Sequence, residues 1–401
     1  MSLMLEYIEK QKKAGGPALE AELLNLIKRY NEERRRYLFI YAAALGKRIP
    51  EVPLDMSDYY MFHDLLAGKQ GVREVDVYIE TPGGSGEAAE EIVKFLHNKF
   101  DSVSFLISGE AKSAGTIMVL SGNDIFMTET GSLGPIDAQI QVGRSIQSAY
   151  DYTEWVDLKR EDAAKTGKLN PFDATMVAQI TPGELAGASN SLKYAEDLVV
   201  EWLVKYKFKN WTETETRKMP VTEEMKTKRA EEICGELINH SKWRSHSRSI
   251  KIGDLDAIGL KVKKIEDNAK LADIVCRIQT VIRLLFESTT TYKLFATAEE
   301  KLFKQATPRQ ASFQIPIPQG IAGTPDVVEI QQECPKCKKI HRLYAKLSPN
   351  PIIDRDMKKK GLLPFPKDAK IKCDNVGCGF EIDLQGIKNQ IELGTGKKVI
   401  D

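Results

Sequence analysis

Val75-Asp-Val-Tyr-Ile-Glu-Thr-Pro-Gly-Gly-Ser-Gly86 decides how the rest of the chain is read. Its first five residues alternate and are β-rich, so they predict a strand. Thr81-Pro-Gly-Gly-Ser-Gly86 breaks the strand, and Glu87 to Phe100 is a run of helix formers. The same grammar repeats downstream. Val103 to Ile107 reads as a second strand. Gly109-Glu-Ala-Lys-Ser-Ala-Gly115 follows as a glycine-bounded turn, Ser113 to Leu120 as a small-residue helix, and Asp124 to Met127 as a third strand. Strand, helix, strand, helix, strand implies a parallel sheet with right-handed crossovers, hence an α/β fold.

A parallel sheet gathers the C-terminal ends of its strands at one edge, where sites are built. Ser113 and the Gly83/Gly84 turn should therefore meet. A serine hydroxyl needs an exposed turn and a neighbouring base to act as a nucleophile. The start of the helix after Ser113 offers free N–H groups suited to an oxyanion. Backbone N–H groups of Gly83/Gly84 and of Ala114 form the expected two-donor hole. Either turn alone is most simply an N-cap or a tight turn; their order, each directly after a strand, points to a site.

Tyr78-Ile-Glu-Thr-Pro-Gly-Gly84, Gly109 to Gly115 and Gly131-Ser-Leu-Gly-Pro-Ile-Asp137 together resemble the Clp protease and signal peptide peptidase A group. More closely they resemble the ClpP-like family called serine dehydrogenase proteinases. The resemblance runs from roughly Leu24 to Phe303, and implies a ClpP/crotonase fold, serine peptidase activity and a homo-oligomer. It also implies the partners of Ser113. The position of the Clp histidine holds Asp137 here. His246, ahead of Ile258-Gly-Leu-Lys-Val262, stands where Clp proteases place their aspartate. The order Ser113, Asp137, His246 matches the order described for the serine dehydrogenase proteinases. The competing base is a lysine, as in signal peptide peptidase A, with Lys165 first and Lys159 and Lys193 as alternatives. Lys112 should point away from the site.

Cys334-Pro-Lys-Cys337 and Cys373 with Cys378 supply four thiolates in two turns, the shell that Zn²⁺ prefers in structural sites. His341 lies close but is not needed once four cysteines are counted. The segment reads as a zinc ribbon for docking. Its basic residues, Lys336, Lys338, Lys339, Arg342 and Lys358 to Lys360, read first as a solvated rim and second as a protein or nucleic-acid contact. Cys234 and Cys276 read as buried small hydrophobes.

The boundaries that follow are an N-terminal helical segment (1–50), the peptidase domain (51–303), a Pro/Gln/Gly-rich linker (304–326) and the ribbon (327–401). Within the first, Pro17 to Ala44 reads as one long helix, with Arg34 to Arg36 on its solvated face. A net charge of +1 with interspersed signs gives no global argument for nucleic acid or a membrane surface. No signal peptide or membrane span is read, and the setting is cytoplasmic and reducing. The function expected is peptide-bond cleavage through an acyl-enzyme on Ser113. The alternatives are a catalytically silent scaffold on the same fold, and a crotonase-like acyl-CoA enzyme.

Overall fold

The structure is a computed structural model that describes residues 3–14, 18–142, 145–306 and 326–400. It divides into two compact units, Met1–Pro308 and Arg309–Asp401.

In the first unit, helices α1 (Leu3–Ala14) and α2 (Ala18–Arg34) lead into strand β1 (Tyr37–Ala43). Helix α3 (Met56–Ala67), β2 (Glu74–Glu80), α4 (Gly86–Lys99) and β3 (Ser102–Ile107) follow. Then come β4 (Glu110–Ala111), α5 (Ala114–Leu120), β5 (Asp124–Met127) and β6 (Ser132–Leu133). A hairpin, β7 (Gln139–Val142) and β8 (Ser145–Ser148), opens a helical stretch. This comprises α6 (Ala149–Thr166), α7 (Pro171–Val177), α8 (Pro182–Trp202) and α9 (Glu223–Ile238), then the short α10 (His240–Trp243) and α11 (Ile252–Ala257). Strand β9 (Lys263–Lys264), α12 (Ala269–Ser288), β10 (Thr291–Ala296) and β11 (Lys301–Gln305) close the unit.

Seven strands form the main sheet in the order β11-β10-β1-β2-β3-β5-β9. Neighbouring strands from β1 to β9 are parallel, whereas β10 and β11 are antiparallel. The inner strands are buried on both faces, as crossover helices require. Val75, Val77 and Ile79 of β2 enter one apolar layer with α4, α5, α8 and α9. Tyr78 turns to the other, with α2 and α12. The fold is thus the α/β architecture expected, with three layers.

Tyr37–Ala43 departs from the reading of one helix to Ala44. Its run Tyr-Leu-Phe-Ile-Tyr is strand-forming, and Arg35 at φ 55° ends α2 before it. The strand pairs with β2 over Tyr37 to Ala42, so the N-terminal segment contributes to the central sheet. Arg34 and Arg36 differ from expectation, whereas Arg35 is exposed as read. Arg36 Nε is 2.6 Å from Asp76 Oδ1, and Arg34 Nε 3.4 Å from Asp76 Oδ2, with Asp76 wholly buried. They neutralise a carboxylate inside the sheet instead of facing solvent.

A second buried ion pair supports the site edge. Lys293 Nζ of β10 lies 2.5 Å from Asp58 Oδ2 and donates to the Pro53 carbonyl at 2.8 Å. Tyr41 and Lys304 complete the surroundings of Asp58. The next residue, Leu54, donates to Gly83 O and accepts from Ser85 N–H, at 2.7 and 2.9 Å. Burial pulls the Lys293 amine below its usual range, opposed by Asp58.

The second unit holds β12 (Val327–Glu333), β13 (Ile340–Lys346), α13 (Pro351–Lys359), β14 (Leu363–Pro364), β15 (Lys370–Lys372), β16 (Glu381–Asp383) and α14 (Gln385–Thr395). Its small core centres on the cysteine turns. The linker call at 304–326 falls mostly outside the described residues. Among the described residues no helix is long and apolar enough to cross a membrane.

Removing one partner of a buried ion pair leaves a charge without compensation. Lys293→Met is expected to destabilise the first unit by about 3 kcal/mol in urea unfolding, and Lys293→Met/Asp58→Leu by less.

Candidate active site and cysteine cluster

The turn after β4 sets the geometry. Gly115 N–H donates to Lys112 O at 2.8 Å, closing a four-residue turn over Ser113 and Ala114. Ser113 sits at φ 51°, ψ −120°, the first central position of a type II′ turn, which glycine normally fills. The strained serine is thereby presented ahead of α5, as in a nucleophile elbow. Its side chain makes no hydrogen bond among the described residues, α5 included.

Gly83 and Gly84 bring the second turn against it. A Cβ on Gly83 would lie 2.6 Å from Ser113 Cβ and 2.7 Å from Lys112 O, so only glycine permits the approach. Gly84, at φ 146°, would place a Cβ 2.3 Å from the Leu54 carbonyl oxygen. Because Leu54 bonds the flanking Gly83 and Ser85, the Gly84 N–H points away from Leu54. The Gly83 N–H is already given to Thr81 Oγ1 at 3.2 Å. Of the candidate donors, Gly84 and Ala114 therefore remain open among the described residues, and Gly83 supplies the close contact with the Ser113 turn.

Both turns line a cavity of about 450 Å³. Asp137 and His246 line it too, so the residues scattered over the sequence reading share one space. Ile117, Ile136, Ala195 and Leu198 form an apolar wall, α8 lying over α5. His246 Nδ1 is 3.3 Å from Asp137 Oδ2. Asp137 is buried, and Ser148 donates to its Oδ1 at 2.7 Å.

Backbone pairing explains why these loops meet. Leu133 and Ile250 exchange N–H···O bonds of 3.1 and 2.9 Å, and Ile136 N–H donates to Leu237 O at 3.1 Å. The 133–137 segment is thus stitched on both sides of the loop that carries His246. Lys112 adds a side-chain tie. Its buried ammonium reaches Ser132 Oγ, Leu133 O, Arg248 O and Ser249 Oγ at 3.0–3.2 Å, pointing away from the cavity. Burial pulls this amine below its usual range.

The other lysines stay outside. Lys165 is exposed on α6 and paired with Glu161 at 3.2 Å. Lys159 pairs with Asp162 and Asp173, and Lys193 is exposed on α8. None lines the cavity. Sequence reasoning missed His240, whose Nε2 lies 3.7 Å from Asp137 Oδ2 and whose Nδ1 is 2.8 Å from Asp151 Oδ1. No spacing in the chain signals that contact, which tertiary pairing creates.

In the second unit, Cys334, Cys337, Cys373 and Cys378 bring their sulfurs together in a group able to hold a metal ion. Cys334 Sγ is 3.7 Å from Cys378 Sγ, and Cys337 Sγ 3.5 Å from Cys373 Sγ. A tetrahedral shell with metal–sulfur bonds of about 2.3 Å has sulfur–sulfur edges of about 3.8 Å, close to both. Hydrogen bonds from Asn375 and the Lys339 N–H draw the Cys337 thiol down to about 6. Desolvation pushes Cys373 up to about 12. His341, 3.4 Å from Asp374, stands beside the group.

Residues 69–161 match the family model of ClpP-like SDH-type serine proteinases. The resemblance read from the three sequence blocks is borne out over that stretch. The chain is 35% identical over 68 residues to the uncharacterized protein MJ0137 of Methanocaldococcus jannaschii, covering 17% of this chain and 24% of that one. It is 33% identical over 66 residues to the uncharacterized protein MJ1495 of the same organism, covering 16% and 23%. The chain thus spans about a quarter of the length of these curated relatives. A solved variant of the 1510-N membrane-bound stomatin-specific protease, in complex with a substrate peptide, is 14% identical with TM-score 0.32. It covers 53% of this chain and 70% of its own.

Gly84→Ala meets the Leu54 backbone in a conformation that an L side chain rarely adopts. It is expected to slow acylation of Ser113 by an active-site serine probe at least about a hundredfold, while near-ultraviolet circular dichroism of the chain is retained.

Proposed function

We propose that the chain is a serine peptidase that cleaves peptide bonds through an acyl-enzyme on Ser113. The observation that carries this reading is the strained Ser113 turn facing the open Gly84 and Ala114 N–H groups, in a cavity that also holds His246 against Asp137. In this reading Ser113 Oγ attacks the peptide carbonyl carbon as His246 Nε2 takes the hydroxyl proton. Asp137, at His246 Nδ1, fixes the tautomer that leaves Nε2 free to accept. The oxyanion is held by Gly84 and Ala114. Collapse breaks the C–N bond, and the amine leaves with the proton from His246. Water then attacks the ester by the same route, releasing the acid and restoring Ser113. The apolar wall of Ile117, Ile136, Ala195 and Leu198 supports an apolar side chain beside the scissile bond.

The same reading assigns Zn²⁺ to the four cysteines, as a closed structural site with no part in the serine chemistry. Exposed Ile340, Val376 and Phe380 near the cysteine turns support a docking role for this unit. The free thiols suit a reducing, cytoplasmic setting. A homo-oligomer follows from the family resemblance.

A fluorophosphonate probe is expected to label the wild type and not Ser113→Ala. His246→Ala should slow labelling by about a hundredfold or more, and Lys165→Ala should leave it unchanged. Absence of labelling in the wild type across pH would overturn the reading. Elemental analysis should find about one zinc per chain, lost in Cys334→Ser/Cys373→Ser with unfolding of the second unit and no change in probe labelling.

A further inference from the structure

Asp137 has a second histidine. His240 opens α10, with its Nε2 3.7 Å from Asp137 Oδ2, the same oxygen that lies 3.3 Å from His246 Nδ1. Its Nδ1 is held 2.8 Å from Asp151 Oδ1 of α6. The four groups form one chain of alternating acid and imidazole: Asp151, His240, Asp137, His246. His240 is largely buried in its side chain (13% exposed) and does not line the cavity, so it is out of reach of a substrate carbonyl.

We propose that His240 is a positioning residue for the catalytic reaction: anchored to Asp151 and set against Asp137 Oδ2, it holds the carboxylate in the orientation that faces His246. The inference rests on the reading of Ser113, His246 and Asp137 as a triad. Asp151 takes the Nδ1 side of the ring, which turns His240 Nε2 toward Asp137 Oδ2 at 3.7 Å and places the ring where that carboxyl oxygen would otherwise swing away from His246.

Groups on neighbouring elements also face this chain. Ser148, at the end of β8, donates to the other oxygen of Asp137, and the Tyr150 ring of α6 packs 6.5 Å from the His240 ring. Glu87 of α4 lines the cavity that holds His246. Ser148 keeps Oδ1 in place, so loss of His240 frees Oδ2 without releasing the whole carboxyl.

The test is the rate of fluorophosphonate labelling of the full chain, for wild type, His240→Phe, His240→Gln, Asp151→Ala and His246→Ala. In His240→Phe the rate is expected to fall about tenfold through the looser carboxylate. His240→Gln keeps polar atoms for Asp151 and Asp137, so it should restore most of the rate, a rescue that a purely space-filling role would not give. If His240→Phe does not fold, Asp151→Ala, which keeps the ring and removes its anchor, decides, with a severalfold loss expected. Wild-type rates in every folded His240 and Asp151 variant, with His246→Ala slowed, overturn this inference alone. A His246→Ala variant that labels like wild type overturns the triad reading and this inference with it.

Discussion

Two backbone turns at the C-terminal edge of one parallel sheet approach so closely that the glycine turn can carry no side chain toward the serine. Gly83 lies against the Ser113 turn where any Cβ would sit 2.6–2.7 Å from its atoms. That steric limit fixes where the serine hydroxyl and the two open N–H groups stand relative to one another. Everything else at the site is arranged around it. Leu54 braces Gly84 from behind, the buried Lys293–Asp58 pair braces Pro53 beside Leu54, and the Lys112 ammonium ties down the loops that carry Asp137 and His246.

The support is mostly polar, which is costly to build in a protein interior. Lys112, Lys293, Asp58 and Asp76 are all buried, and each has several partners. Such groups add little net stability compared with apolar packing, yet they penalise any rearrangement that breaks the set. A parallel sheet packed on both faces supplies the stability. The buried charges supply the register of the loops at its edge.

Elements with a strong local signal were legible in the chain. Strands β2, β3 and β5, helices α4 and α5, and the serine turn follow from alternation and glycine placement. Strand β1 was not, because an apolar run after a charged helix carries no periodicity that separates a buried strand from a helix end. Arg34 and Arg36 were misread because their partner, Asp76, lies 40 residues from Arg36 in sequence. Ser113 and the four cysteines could be found by spacing. Asp137 and His246 came only through family resemblance, and their proximity depends on the Leu133–Ile250 and Ile136–Leu237 pairing. His240 had no local signal at all. The division of donors between Gly83 and Gly84 likewise required Leu54 and Thr81 in place.

The backbone at Ser113 has a consequence for how this chain ages in evolution. A serine in a conformation suited to glycine stores about 1–3 kcal/mol, a standing cost kept only while the hydroxyl is useful. Once chemistry is no longer under selection, drift at position 113 should run toward glycine, which releases the strain and makes the silent copy the sturdier one. Alanine, by contrast, inherits the strained turn intact. The residue found at this position in a descendant would therefore report whether its hydroxyl had been merely removed or its geometry abandoned.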